Sequence, residues 1–151
     1  MRRTIISALT LFTVVLGFAV PAAAESTAED AVKYRQYIMR ALSGHGGAVM
    51  MITGGTAGDA ATMSNHLDAL ADLAAEVAAA FAQNAVTEDS ESLPVVWEDP
   101  DGFADAVAAL EAAVTQLGDV AGSGDAEAID AAVKGLRQSC RDCHDNFRVD
   151  D

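Results

Sequence analysis

Cys140 and Cys143 are the only two cysteines of the chain, and His144 follows directly in the run Cys140-Arg141-Asp142-Cys143-His144. Two thiols at that spacing can add across the two vinyl groups of a haem, and the adjoining imidazole can take the iron. The run is therefore a c-type haem attachment signature. On a helix, residues three and four apart share a face, so two sulfurs and one nitrogen would meet the same flat ligand. Other chemistries make demands that the rest of the chain does not meet. A thioredoxin-type dithiol sits at a strand-to-helix junction, and no β-branched strand run precedes these cysteines. A structural zinc site needs a fourth ligand at zinc-finger spacing, whereas His45 and His66 lie far upstream. A disulfide across one helical turn would leave His144 without a role.

The elements that must position this run read as helices. Apolar residues recur at helical spacing in four segments separated by Gly, Pro or acidic clusters, and β-branched runs are absent. The first segment starts at Ser26, with Glu29 completing a capping box, and carries Val32, Arg35, Ile38, Met39 and Leu42. The Ser43-Gly44-His45-Gly46-Gly47 stretch should weaken it and leave His45 exposed, and it resumes from Ala48 to Ile52. A second helix follows Asp59 with Met63, Leu67, Leu70, Ala74, Val77 and Phe81 on one side and His66 on a helix face. An irregular connection from Asn84 to Asp99 holds Trp97, and Asp99-Pro100 supplies a cap and a first-turn proline for the third helix. Asp125 caps the fourth, whose seam reads Ile129, Val133, Leu136, Cys140, Cys143 and Phe147. The expected fold is all-α, an antiparallel four-helix bundle with haem c covalently held on the inward face of its last helix. Met50 and Met51 are read as packing residues.

The ends and the charge bound the setting. Arg2-Arg3, an apolar stretch from Ile5 to Val20 and Ala22-Ala23-Ala24 form a secretory signal, cleaved after Ala24, which leaves a single domain over residues 25–151. The apolar stretch is too short for a membrane anchor, so the mature chain is expected to be periplasmic and soluble, with no membrane association. The chain has 9 Lys+Arg against 23 Asp+Glu, and without Arg2 and Arg3 the formal charge is −16. So acidic a surface repels phosphate, which argues against nucleic acid, and it favours either basic protein partners or simply solubility at high ionic strength.

These residues resemble a class II cytochrome c, the cytochrome c′ family, and come closest to its low-spin cytochrome c-556-like branch. The likeness rests on Cys-x-x-Cys-His near the C-terminus followed by Asp145-Asn146-Phe147-Arg148, on Tyr34-Arg35-Gln36-Tyr37-Ile38-Met39, and on Val96-Trp97. It implies that Cys140 and Cys143 hold one haem c covalently and that His144 is the proximal iron ligand. Arg35 and Gln36 lie at the haem periphery, with Arg35 near a propionate, and Trp97, Phe147 and Arg148 surround the haem. Met39 covers the distal face, as the sixth ligand in low-spin members and as a blocking side chain in five-coordinate ones. Residue identity alone leaves both open. The function expected first is single-electron transfer with a redox partner protein and without catalysis. The alternative is a five-coordinate protein that binds nitric oxide or carbon monoxide. A peroxidase would need a distal His–Arg pair, which is not evident near Met39. The resemblance also allows a homodimer through the first two helices.

Overall fold

The computed structural model describes residues 26–149, so the expected signal segment lies outside the described residues. Four long helices, α1 (Ala28–Thr53), α2 (Ala60–Ala80), α4 (Pro100–Ala121) and α5 (Ala126–Phe147), are joined by turns and by one short helix, α3 (Val95–Glu98). Their starts follow local chemistry. Thr27, one residue later than the expected Ser26, accepts from Asp30 N and caps α1. Ser26 instead donates to Gln83 Oε1 at 2.8 Å. Asp59 and Thr62 form a reciprocal capping box at α2, Asp99 accepts from Gly102 N before Pro100, and Asp125 accepts from Glu127 N and Ala128 N. Each side chain satisfies a backbone donor that the first turn leaves without an intrahelical partner.

The glycines at 44, 46 and 47 do not interrupt α1, contrary to expectation. Each costs about 0.5–1 kcal/mol relative to alanine, yet Val49 beyond them is fully buried, and that anchor carries the helix through. The helix ends at Thr53, one residue past the expected Ile52, where Gly54 and Gly55 follow. Gly58 has φ +76°, and a Cβ there would come within 2.6 Å of Ile52 Cγ1.

Cross-helix pairs fix the direction of packing. Ser26 meets Gln83, Tyr34 meets Glu76 and His45 meets His66, so α2 descends as α1 climbs. The bundle closes through α1 on α2, α2 on α4 and α4 on α5, while α1 and α5 barely touch. One end of the interior is a dense apolar cluster that includes Val49, Leu67, Leu70, Val114, Leu117 and Leu136. Towards the other end a second cluster gathers Ile38, Val77, Val96, Phe103 and Val107, with Met39, Phe81, Trp97 and Phe147 packed against it.

The seam of α5 follows the sequence only in part. Val133 and Leu136 are buried, but Cys143 and Phe147 are half-buried and Cys140 is exposed. At Cys140 and Cys143 this face turns to the gap towards α1, while Phe147 packs again on Phe103 of α4, which corrects the expectation of a continuous buried register.

Candidate haem site

Where α1 and α5 part, a cavity of about 370 Å³ opens, a size within the range of cofactor sites. From α1 come Arg35, Gln36 and Met39, and from α5 Cys143, His144 and Phe147, with Arg148 just beyond. Helical spacing explains both sets: Arg35 and Met39 stand four apart, and Cys143, His144 and Phe147 share one face. Cys140 lies one turn before Cys143 and is not part of the cavity wall.

Arg35 is buried at 3% exposure. Its Nη2 donates to the Ala85 carbonyl, and its guanidinium stacks 5.2 Å from the Phe81 ring centre and 5.0 Å from that of Trp97. Nη1 has no hydrogen-bond partner among the described residues. A buried cation with a donor left over is costly unless an anion meets it, and burial already pulls the Arg35 pKa down. Trp97 does not line the cavity; it backs Arg35 and donates from Nε1 to the Phe81 carbonyl at 2.9 Å. Gln36 donates to the Asp89 carbonyl at 2.8 Å and ties the wall to the connection before α3.

At the other wall, burial pushes the Cys143 thiol pKa up, with nearby Cys140 adding to it. Desolvation by the neighbouring helix surface raises the Cys140 thiol too, although its outer side is exposed. For His144, desolvation and then the Arg148 charge lower the imidazole pKa, while Asp145 and Glu91 pull it back. The shift favours the neutral ring, the form that can ligate a metal. Arg148 pairs with Glu91 at 2.9 Å. Backbone bonds from Leu93 N to Phe147 O and from Val149 N to Glu91 O pin the end of α5 to the same segment.

The donor set fits a haem: two thiols one turn apart, an imidazole, a thioether across the gap, and a buried guanidinium with a free N–H for a propionate. Sequence reasoning missed the loop residues Ser90, Glu91 and Ser92 on the cavity wall, because an irregular connection carries no periodic signal. Phe81 was placed on the apolar side of the second helix, and its position at the end of that side was the available hint; Phe103 stands one turn after the Asp99-Pro100 start of α4.

The cytochrome c′ family model matches residues 30–148, nearly the whole described chain. The chain belongs to the cytochrome c′ family. Proteins of this family carry covalently bound haem c, and the match makes this chain a class II cytochrome c. It is 33% identical to the cytochrome c′ of Alcaligenes xylosoxydans xylosoxydans over 80% of this chain and 94% of that one. It is 36% identical to a cytochrome c-554 of Cereibacter sphaeroides over 63% of this chain and 69% of that one. Among solved structures, a ferrous variant of cytochrome c prime from Alcaligenes xylosoxidans with bound NO superposes with a TM-score of 0.76 at 29% identity. That superposition covers 85% of this chain and all of the other. The four-helix bundle read from the sequence is thus the fold of the family. Among the described residues no helix is long and apolar enough to cross a membrane.

Proposed function

We propose that this chain is an exported, periplasmic cytochrome c′ that binds a diatomic gas, nitric oxide or carbon monoxide, and catalyses no bond chemistry. Cys140 and Cys143 hold the haem, His144 is the proximal ligand, and Arg35 anchors a propionate. When bound, the haem would supply an iron able to take the gas. The carrying observation is that His144 from α5 and Met39 from α1 line one cavity in a fold shared with a relative solved with NO. His144 would offer a ring nitrogen to the iron, Phe81 and Phe103 supply apolar wall, and Met39 would limit what enters. This reverses the order in which the sequence alone ranks the two functions.

The second reading is an electron carrier in which the Met39 sulfur ligates iron and a basic redox partner docks on the acidic surface. Met39 itself favours it, as does the likeness to a cytochrome c-554. Absorption spectra of the reduced protein before and after nitric oxide or carbon monoxide separate the two. A high-spin spectrum that shifts with gas supports the first reading. A low-spin spectrum that ignores carbon monoxide until Met39→Ala is made supports the second. Self-association through α1 and α2 is part of the proposal, supported by exposed Tyr37 and Met51 on α1, and sedimentation measures it.

A further inference from the structure

Away from the cavity, α1 and α2 bring His45 and His66 together, with their Nδ1 atoms 3.0 Å apart. The ring centres are 5.1 Å apart and the planes tilt by 59°. Both residues are half-buried, although His45 was expected to be exposed. A neutral imidazole carries one N–H and one free lone pair, so at this distance a single proton is shared between the two Nδ1 atoms. A cation that takes the place of that proton meets two imidazole donors at once. We infer that His45 and His66 form a second metal site, separate from the haem, which chelates one divalent transition-metal ion through both Nδ1 atoms.

Imidazole nitrogens suit copper(II), nickel(II) and zinc(II), and metal–nitrogen bonds of about 2.0–2.1 Å can bridge two nitrogens this close. Among these ions copper(II) stands highest in the general affinity order. Among the described residues no cluster of three or more His, Cys, Asp or Glu gathers, so water completes the shell.

Two further observations support the site. The antiparallel pairs Ser26–Gln83 and Tyr34–Glu76 hold both histidines on helices in fixed register. A Cβ added at Gly44, Gly46 or Gly47 would meet nothing within 4 Å. His45 is therefore flanked on α1 by residues without side chains that could crowd it. The acidic chain concentrates cations at its surface.

The test uses the haem-loaded protein, stripped with a chelator and titrated with copper(II), nickel(II) or zinc(II) chloride in a calorimeter. Copper(II) should bind at one equivalent more tightly than nickel(II) and zinc(II), and its paramagnetic resonance spectrum should show coupling to two imidazole nitrogens. His45→Asn and His66→Asn should each weaken copper binding at least ~10-fold and leave the haem absorption unchanged. Equal binding by the wild type and both variants, or no binding by the wild type, overturns the inference. Should one variant fail to fold, the other variant and the nitrogen count of the wild type still decide.

Discussion

The two ends of the bundle are built on different terms. At the end around Leu70, Leu117 and Val49 all four long helices contribute, and these three side chains are the largest that are fully buried. At the end around Arg35 and His144, α1 and α5 draw apart, and a buried cation, two thiols, an imidazole and a thioether stand near a cavity. The first end satisfies itself through packing. The second is complete only when a flat apolar ligand with anionic edges fills it, so stability should depend on haem at one end and not at the other.

The largest effect should come from the packed end. Leu117→Ala should lower unfolding free energy by about 2.7–5 kcal/mol, equally with and without haem, and leave the haem spectrum unchanged. Urea unfolding of both forms measures it, and an altered spectrum would show that the ends are not independent. At the cavity end, Arg35→Met removes the bond to Ala85 and the stacking on Trp97. It should cost roughly 1–3 kcal/mol in the haem-loaded form and less in the apoprotein, where one guanidinium nitrogen already lacks a partner. An equal loss in both forms would remove the propionate from the account.

Smaller changes sharpen the contrast. Thr27→Ala removes the α1 cap and should cost about 1 kcal/mol by thermal or urea unfolding. Gly46→Ala lies in a continuous helix with open space at its Cβ, so it should stabilise by about 0.5–1 kcal/mol without touching the haem spectrum. A loss of stability there would mean that α1 needs its glycines to bend.

Acidity should act through the cavity end. The His144 pKa is lower in the folded chain than in the unfolded one, chiefly through desolvation. Between those two values the unfolded state binds the extra proton. Apoprotein stability should therefore fall as pH drops through the ordinary histidine range towards the lower folded value, and His144→Gln should flatten that slope. Unfolding curves across mildly acidic pH check the sign.

The sequence carried the packed end almost completely, because Leu67, Leu70, Val114, Leu117 and Leu136 repeat at helical steps and bury as that period requires. It also carried the caps Asp59, Asp99 and Asp125, whose side chains bond locally. It placed Cys140 on a buried seam because periodicity reports only a helix face, not whether another helix covers it. The His45–His66 contact joins residues 21 apart on two helices, a separation at which neither periodicity nor motif spacing speaks. The continuity of α1 through its glycines likewise depended on tertiary anchoring by Val49, which outweighs local propensity.

The central claim, a haem held through both thiols beside His144, has a direct chemical test. Trypsin cuts after Arg137, Arg141 and Arg148, so it places Cys140 and Cys143 on separate peptides, Gln138 to Arg141 and Asp142 to Arg148. Mass spectrometry of the digested holoprotein should find the two peptides joined as one species heavier by a single haem, and reduction should not part them. Separate peptides free of haem, or a pair joined without its mass and released by reductant, would contradict the account.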